Sequence, residues 1–528
     1  MNTPADHYDV VIAGLGPTGL TLAHCLGQRG HQVLVLEREP AFYGNARAVY
    51  TDGECMRIFQ SFGMADRLAA DMLQDAPVQM VLPDGKVLFQ LKNTHRPHGW
   101  PANNFFYQPL LETALADGLA KYPNVTVLRG RELTRFEQDA AGVDVFHVAS
   151  DGSGYGRPAP QAGVRPGPVA GEARVRARYL VGADGGRSGV RAQLGISMTG
   201  RNFPNPWLVV DIKVKDPADG LRHLPYFNFV CDPACPTVSC VQPNGHHRFE
   251  FMLMPGQTRE HMEHPDTVRH YLSKYVDVDK FEILRTLVYT FNALMAEKWR
   301  DGRVLLAGDA AHVHPPHGGQ GLNTGVQDAV NLGWKLAQVV AGTLPDTLLD
   351  TYEAERHPVG AQVLRATEAQ IALTTPDARH QSLRTIVADL LAMDEPRRHL
   401  AGIMSGLGIH YDLGEGHPLV GWRMPDVDLQ VPDGPTRAFA LLHAARPVLV
   451  DLGGPGRFDL APWADRVDTV RATCDGPWDL PVLGAVPPPA AVLIRPDGHV
   501  AWAGDLTDAA LPTALTTWFG PPSMAGER

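Results

Sequence analysis

The 528-residue sequence has no long apolar segment, no run of basic residues and only six cysteines. Because no apolar run approaches the length of a bilayer span, we expect no membrane-spanning helix. The formal net charge of −11 disfavours nonspecific binding to nucleic acid, which needs a positive surface. No pattern typical of a secretory leader precedes the first strand-like segment, YDVVIAGLG, so we expect a cytoplasmic protein.

The cysteines include no Cys-x-x-Cys pair, which argues against a dithiol redox enzyme. Cys231, Cys235 and Cys240 lie close together in the sequence, with His246 and His247 nearby. Their spacing is irregular for a zinc site. We therefore expect reduced cysteines and no metal site.

The first motif is DVVIAGLGPTGLTLAHCLGQRGHQVLVLERE, which predicts a compact βαβ unit. Gly14 permits a tight turn, Gly16 lets the backbone approach a pyrophosphate, and Gly19 lets the helix pack closely on the strand. Glu37 follows at about twenty residues, where a carboxylate can bind ribose hydroxyls. The motif does not distinguish NAD from FAD. With no second G-x-G-x-x-G downstream, it favours one permanently bound dinucleotide.

The second motif is ARYLVGADGGRSGVRAQLG, which predicts a strand, a sharp Asp-Gly-Gly turn and a helix from Ser188. Two interpretations are open here. The turn either precedes an ordinary N-capped helix or forms a second wall of the dinucleotide site.

The third motif is LLAGDAAHVHPPHGGQGLNTG. Asp309 ends a strand and can accept hydrogen bonds from polyol hydroxyls. Two prolines hold the backbone extended, and the glycines after them let a flat ring approach the main chain. We expect the next helix to begin near 322–323, where its free N–H groups favour negative charge. This arrangement suits a planar, electron-accepting ring such as a flavin, whose reduced form carries the negative charge that the helix N-terminus favours.

Between the second and third motifs the pattern changes. Residues 150–173 are rich in Gly, Pro and Ala and predict a long exposed loop. From Trp207 to Arg285 the alternation predicts strands of a mostly antiparallel sheet. A sheet inserted between parts of an α/β domain indicates a separate layer that covers a pocket.

These motifs, in this order, resemble the three fingerprints of the flavin-dependent aromatic hydroxylases, which have the p-hydroxybenzoate hydroxylase fold. The resemblance covers roughly residues 7–365. Four further segments are most similar to 3-(3-hydroxyphenyl)propionate hydroxylases: GWPANNFFYQPLLE, PNPWLVVDI, RFEFMLMPG and DTYEAERHPV. The last hundred residues resemble the thioredoxin-like tail of phenol and polyketide hydroxylases. That tail has only Cys474, so we expect it to support structure or dimerisation.

The resemblance implies an α/β fold with a Rossmann-like FAD-binding domain, an inserted, mostly antiparallel substrate domain and a thioredoxin-like C-terminal domain. We assign the boundaries as 1–75, 104–195 and 286–365 for the discontinuous FAD-binding domain, 76–103 and 196–285 for the substrate domain, 366–415 for a helical connector, and 416–528 for the C-terminal domain.

The resemblance also implies which residues bind FAD. They are Gly14, Gly16, Pro17, Thr18, Gly19, Glu37, Arg38, Arg47, Gln108, Asp184, Arg248, Gly308, Asp309, Pro316, Gly319, Gly321, Leu322 and Asn323. Each could instead have an ordinary structural role, such as a surface arginine or a residue that starts a helix.

The implied chemistry is aromatic hydroxylation. NADH or NADPH reduces FAD, O2 gives a flavin C4a-hydroperoxide, and a phenolic ring takes up one oxygen atom. A base with a pKa near neutral is suited to deprotonating the phenol. His317 is the first candidate for that base and His314 the second. The alternative is that both are loop histidines bonded to the backbone.

The expected substrate is a small phenolic acid such as 3-(3-hydroxyphenyl)propionate, and the alternative is a larger polycyclic or antibiotic-type aromatic. Tyr226, Tyr289 and His317 are the candidate substrate contacts, although either tyrosine could be a core residue. No Trp-x-Trp motif supports a flavin halogenase. A non-enzymatic flavin-binding sensor and a homodimer are left open.

Overall fold

The computed structural model describes residues 7–42, 47–91, 96, 98–152, 161–164, 166–203, 205–219, 221, 223–316, 318–375, 378–453, 457–480 and 482–523. The first βαβ unit consists of strand His7–Ala13, helix Pro17–Gly27 and strand Val33–Glu37. The apolar run Val33–Leu36 is fully buried, as is typical of a parallel strand covered on both faces. His317 lies outside the described residues.

This unit belongs to an eight-stranded sheet. Its main path runs in the order Arg300–Asp301, Val304–Leu306, Ala173–Gly182, His7–Ala13, Val33–Glu37 and Val125–Arg129. All neighbours on that path are parallel except the first pair. An antiparallel hairpin, Arg131–Gln138 and Val143–Ala149, extends the Ala173–Gly182 strand.

Helices cover this sheet, and some of them follow directly on the turns that line the site. They are Gly53–Ser61, Ala65–Ala70, Gln108–Gly118, Gly189–Gln193, Gln320–Val340 and Asp350–Thr374. Two small three-stranded sheets lie beside them: Tyr50–Thr51 with Asn104–Phe105 and Leu73–Gln74, and Met198–Asn202 with Asn292–Ala296 and His312–Val313.

A second sheet has seven strands in the order Phe281–Tyr289, Trp207–Val214, His246–Met252, Thr237–Val241, Phe227–Val230, Val78–Val81 and Val87–Leu91. Only one of its strand pairs is parallel, Phe227–Val230 with Val78–Val81. Side chains alternate between its two faces. Leu208, Val210 and Ile212 join a core that includes Met262 and Leu272, from helices Arg259–Glu263 and Pro265–Leu272. The opposite face is turned towards a large cavity.

The C-terminal part begins with helices Ala378–Leu391 and Asp394–Ser405. A four-stranded sheet follows in the order Asp468–Arg471, Val448–Asp451, Ala491–Ile494 and Val500–Gly504, with helix Ala510–Phe519. Two short hairpins complete it, Asp428–Val431 with Gly434–Arg437 and Trp478–Leu480 with Gly484–Val486.

The architecture confirms the predicted fold class, while the residue boundaries of the domains stay predictions. None of the described helices combines the length and apolar character that a bilayer span requires. Cys231, Cys235 and Cys240 are separate, buried thiols, and burial raises the pKa of each.

A buried ion network joins the C-terminal sheet to the long helices. The Arg495 guanidinium donates to both oxygens of Glu355, at 2.9 and 2.7 Å, and also to Asp497. Lys335 contributes a second cation, 2.9 Å from Glu355, and Trp334 donates to Asp497 at 3.1 Å. Arg495 is fully buried, so its positive charge depends on this pairing for compensation.

We predict that Arg495→Ala destabilises the protein strongly. Removing one partner of a buried ion pair leaves uncompensated charge, which costs about 3–5 kcal/mol. The measurement is the onset of thermal unfolding followed by circular dichroism, since a chain of several domains need not unfold in two states.

The matched control is Arg67→Ala, which removes an exposed ion pair with Asp117. Exposed pairs contribute little, so this variant should unfold within a degree or two of the wild type. Equal losses in the two variants would contradict the role assigned to the buried network.

Candidate active site

A cavity of about 1950 Å³ lies between the first sheet and the inner face of the second. Its floor is formed by turns that follow strands His7–Ala13, Ala173–Gly182 and Val304–Leu306. Ligands of open parallel sheets bind outside the carboxyl ends of the strands, where these turns lie. Single small-molecule sites measure roughly 300–1,000 Å³, so this cavity has room for more than one ligand.

The first turn combines a tightly packed glycine with an open one. Gly14 has a φ of 104°, and a Cβ atom there would lie 2.3 Å from the carbonyl oxygen of Ala183. A Cβ on Gly16 would meet no atom within 4 Å. Gly16 is also the N-cap of helix Pro17–Gly27, and no side chain caps that helix. The uncapped N-terminus therefore offers partial positive charge to an anion on the cavity floor.

Glu37 lies at the end of the second strand, on the cavity wall. Its carboxylate accepts hydrogen bonds from the Leu15 N–H at 2.8 Å and the Glu39 N–H at 2.9 Å. Each carboxylate oxygen has a further lone pair, so Glu37 can still accept from hydroxyl groups. Pro17, Thr18 and Arg38 also line this part of the cavity.

The second turn both caps a helix and lines the cavity, while its contact with a dinucleotide stays a prediction. Ser188 caps helix Gly189–Gln193 by accepting from the Arg191 N–H at 2.9 Å. Asp184 lines the cavity, with one oxygen bonded to the Val190 N–H at 3.1 Å. Its other oxygen, Oδ1, is buried and has no hydrogen-bond partner among the described residues. Burial raises the pKa of this carboxyl group.

The third turn leads to helix Gln320–Val340, which begins two residues earlier than predicted. Its N-cap is Gly319, with a φ of 64°, and no side chain caps it. A second uncapped helix N-terminus therefore borders the cavity, beside Asp309, Pro316, Gly321 and Leu322.

Gln108 holds the backbone at residues 47–48, which lines the cavity. Its side-chain oxygen accepts from the N–H groups of Arg47 and Ala48, both at 2.6 Å, while its amide donates to Glu112 at 2.7 Å. Arg248 donates to the Arg47 carbonyl at 2.7 Å. Three predicted cofactor residues, Arg47, Gln108 and Arg248, are thus linked through the backbone at 47–48.

Arg248 belongs to a charged cluster on the inner face of the second sheet. It binds Asp211 with two nitrogens, at 2.7 and 3.2 Å, and Arg285 lies 3.6 Å from the same carboxylate. Burial raises the pKa of the nearby Glu250, against the opposing effect of Arg248. Asp211, Glu250 and Arg285 were not among the sequence-predicted residues. Successive side chains of a strand point to opposite faces of the sheet, and this alternation was the signal that could have placed them on the inner face.

The two predicted substrate tyrosines have different positions. Tyr289 lines the cavity, and burial raises the pKa of its hydroxyl well above the usual value. Tyr226 precedes a strand, is 36% exposed and is absent from the cavity lining. Phe227 and Phe229, two residues apart on that strand, line the cavity instead. His314 also lines it.

Gly19, Gly308 and Asn323 contribute packing rather than cavity surface. A Cβ on Gly19 would lie 2.1 Å from the Gly14 oxygen, and one on Gly308 would lie 2.5 Å from the Thr18 hydroxyl. Asn323 is fully buried and accepts from the Thr51 hydroxyl at 2.9 Å. Any contact of these three residues with a cofactor stays a prediction.

The connector and the C-terminal part also reach the cavity, which sequence reasoning missed. The residues concerned are Asp394, Arg397, Arg398, Ala401, Gly402, Met404, Ser405 and Leu407, together with Asp479 and Leu480. Nothing local in their sequence marks them, because they approach the site only through tertiary packing.

Comparison with known proteins places this arrangement in a family. Residues 7–367 match the family model described as FAD binding domain, and residues 417–522 match aromatic-ring hydroxylase, C-terminal. A 12-dehydrotetracycline 5-monooxygenase/anhydrotetracycline 6-monooxygenase from Streptomyces rimosus is 37% identical, over 98% of this chain and 100% of the relative. A 3-(3-hydroxy-phenyl)propionate/3-hydroxycinnamic acid hydroxylase from Paraburkholderia xenovorans is 41% identical, over 70% of this chain and 56% of the relative.

Solved structures agree with this placement. The anhydrotetracycline hydroxylase of Streptomyces rimosus superposes with a TM-score of 0.78 at 35% identity, covering 98% of this chain and 100% of that one. An aromatic hydroxylase from angucycline biosynthesis also gives 0.78, at 32% identity and the same coverage. The chain belongs to the FAD-dependent aromatic hydroxylases and is a flavin-dependent monooxygenase.

Proposed function

We propose that this enzyme hydroxylates a phenolic ring of a polycyclic aromatic compound, with NADH or NADPH as electron donor and O2 as co-substrate. The observation that carries the proposal is the cavity itself. It extends from the three turns of the first sheet to an aromatic wall on the second, and its volume of about 1950 Å³ exceeds what a dinucleotide site alone requires.

The residues of the cavity floor fit FAD. The open space at Gly16 and the uncapped helix beside it suit a pyrophosphate. Glu37 would bind ribose hydroxyls, and the unpartnered oxygen of Asp184 suits a donor group of the cofactor. The N-terminus of helix Gln320–Val340 would stabilise negative charge on the reduced flavin ring. Bound there, FAD would carry electrons from NADH or NADPH to O2 and supply the oxygen atom for hydroxylation.

The substrate would lie against the second sheet. Phe227, Phe229 and Tyr289 present aromatic surface, which suits a flat ring system. The two arginines of this wall, Arg248 and Arg285, are already paired with Asp211. A polycyclic phenol gains its binding energy chiefly from burial of its rings, which this aromatic wall offers.

The chain's own chemical task is to orient the ring, exclude water and accept the phenolic proton. Helix Asp394–Ser405 contributes Ala401 and Met404 to the cavity wall. His314 is the candidate base that the structure describes on the cavity wall. His317, the first candidate from the sequence, lies outside the described residues and stays a prediction.

Hydroxylation of a small phenolic acid such as 3-(3-hydroxyphenyl)propionate is the second candidate function. It is favoured by the 41% identity to a hydroxylase named for that substrate, which covers 70% of this chain. The relatives named for tetracycline intermediates match over 98% of this chain, so the similarity extends into the C-terminal part, which also lines the cavity.

We predict that anhydrotetracycline stimulates NADH or NADPH oxidation by the FAD-loaded protein more than 3-(3-hydroxyphenyl)propionate does. The value of kcat/KM should differ by at least about tenfold, or about 1.4 kcal/mol of transition-state binding. The measurement is nicotinamide absorbance together with the mass of the product. Faster coupled turnover of the small acid would reverse the order of the two candidates. Oxidation that no phenol accelerates would favour a flavin-binding sensor.

We predict that alanine at the two glycines of the first turn changes two different quantities, FAD affinity at Gly16 and thermal stability at Gly14. Gly16→Ala should leave the melting temperature unchanged but weaken FAD binding at least about tenfold, because the methyl group occupies the open cradle. Gly14→Ala should lower the melting temperature, since its φ of 104° and the Ala183 carbonyl oppose a side chain. The measurements are thermal unfolding without added FAD and fluorescence titration with FAD. Unchanged FAD affinity in Gly16→Ala is the outcome that the proposed binding mode does not allow.

A further inference from the structure

A line of hydrogen-bonded side chains runs from the cavity wall into the core. His314, on the wall, has its Nε2 atom 2.8 Å from Nδ1 of His312. Nε2 of His312 lies 2.5 Å from an oxygen of Asp328. The side chains of His312 and Asp328 are fully buried. Both separations are hydrogen-bond distances, so the three side chains form one continuous path.

The charge of Asp328 fixes how protons are arranged along this path. Although burial alone would raise it, the pKa of Asp328 is lowered to about 2 by His312 and Arg356. An ionised carboxylate only accepts hydrogen bonds, so Nε2 of His312 carries a proton. In neutral His312, Nδ1 then accepts from the Nε2–H of His314. The second ring nitrogen of His314 is left with a lone pair.

This second nitrogen, Nδ1 of His314, is buried and has no hydrogen-bond partner within the described part of the chain, so a phenol reaches it only when the cavity wall around it rearranges. Burial, with a further contribution from His312, holds the pKa of His314 well below its usual value. A proton that reaches His314 is therefore not stabilised there. One ring deeper, His312 lies in direct hydrogen-bond contact with the Asp328 carboxylate, which can offset a positive charge.

The surroundings of Asp328 keep the path rigid. The carboxylate also accepts from the Gly308 N–H at 3.1 Å and from Arg356 at 2.8 Å. Arg356 is the cation that faces the path from helix Asp350–Thr374, and it donates onward to the Tyr411 hydroxyl at 3.1 Å and the Thr324 carbonyl at 3.2 Å. Asp328 therefore stays in place whether or not His312 is charged.

We propose that His314 accepts the phenolic proton of the substrate and relays it to His312, where Asp328 stabilises the resulting charge. The inference rests on the proposed function, since it requires a phenol in the cavity. The phenolic O–H bond breaks and its electron pair stays on oxygen, while a proton joins Nδ1 of His314. The Nε2–H bond of His314 breaks as one forms on Nδ1 of His312. The products are a phenolate and a His312 imidazolium, and no redox partner is involved.

His314 is the catalytic residue of this step, because it would contact the substrate. His312 and Asp328 act through it and are positioning residues. A lone base would need only His314, whereas the relay needs His312 as well. The experiment must therefore separate these two residues.

The test follows phenol ionisation on the oxidised, FAD-loaded enzyme without NADH or NADPH. The probes are 4-nitrophenol and anhydrotetracycline, whose phenolate forms absorb at visible wavelengths, each at a pH below that of its own ionisation in water. Absorbance reports phenolate formed, and a pH indicator in weakly buffered solution counts protons released. For the wild type we expect bound phenolate with almost no proton released, because the proton is retained on His312.

His314→Gln should reduce phenolate formation at least about tenfold, equivalent to one unit in the apparent pKa of the bound phenol. His312→Gln should do the same, since glutamine can donate to Asp328 and accept from His314 but cannot hold an extra proton. The matched control is His24→Gln. His24 is also buried, has a pKa lowered to about 4 by burial, bonds to the Leu115 carbonyl and lies off the cavity. It should behave as the wild type.

Release of one proton per phenolate formed in the wild type would overturn the relay, and so would wild-type behaviour of His312→Gln. If His312→Gln does not fold, as judged by circular dichroism, histidine ¹⁵N NMR of the wild type decides: an imidazolium that forms on phenol binding and belongs to His314, the ring missing in His314→Gln, would overturn the relay. Coupled turnover of a phenol combined with full proton release would reject the relay and leave the hydroxylase proposal intact. Proton-retaining ionisation that is lost in both His314→Gln and His312→Gln, without any turnover, would support the relay and reject the proposed function.

Discussion

The site depends on one close packing contact, that of the first glycine turn against the second. Gly14 lies so near the Ala183 carbonyl that a side chain cannot be accommodated. Hydrogen bonds from Gly14 to Leu36 and from Ala183 to Ala13, both 2.8 Å, hold the turns at the ends of adjacent strands. Arg191 then bonds the Ala310 carbonyl at 2.8 Å and ties the third turn to the second. The cavity floor is fixed by backbone contacts before any ligand arrives.

A protein with a net charge of −11 nevertheless offers an anionic cofactor a favourable site. The attraction is local, since two helices present uncapped N-termini to the cavity. Elsewhere around the site, buried charges are arranged in pairs, such as Arg248 with Asp211 and Arg356 with Asp328. Paired charges orient their neighbours without creating a long-range field, so the free N–H groups of the helices dominate at the floor.

The features that the sequence predicted well are those encoded within a short segment. The order strand, glycine turn, helix, strand and acid predicted the turn that brings Gly14, Gly16 and Glu37 to the cavity, and the family resemblance implied the fold class. The long helix begins two residues before its predicted start. Asn323, which was expected to start the helix, lies within its first helical turn and accepts a hydrogen bond from Thr51 there. Boundaries of this kind depend on tertiary hydrogen bonds to distant segments.

Other features needed three dimensions. Tyr226 was a candidate substrate contact because of its type, but strand alternation turns Phe227 and Phe229 to the cavity instead. The contribution of helix Asp394–Ser405 depends on how the connector folds back, and no local pattern encodes that. The pairing of His312 with Asp328 spans a turn and a helix, so sequence reasoning found His314 without finding its partners.

The central claim is that this cavity brings reduced FAD, O2 and a phenolic ring together so that oxygen enters the ring. The most direct test is turnover of the purified enzyme with a phenol and NADH or NADPH under ¹⁸O₂, followed by mass spectrometry of the product. The account predicts one labelled oxygen atom per product molecule, and none when the label is supplied in water instead. A product labelled from water, or nicotinamide oxidation that yields only hydrogen peroxide, would contradict it.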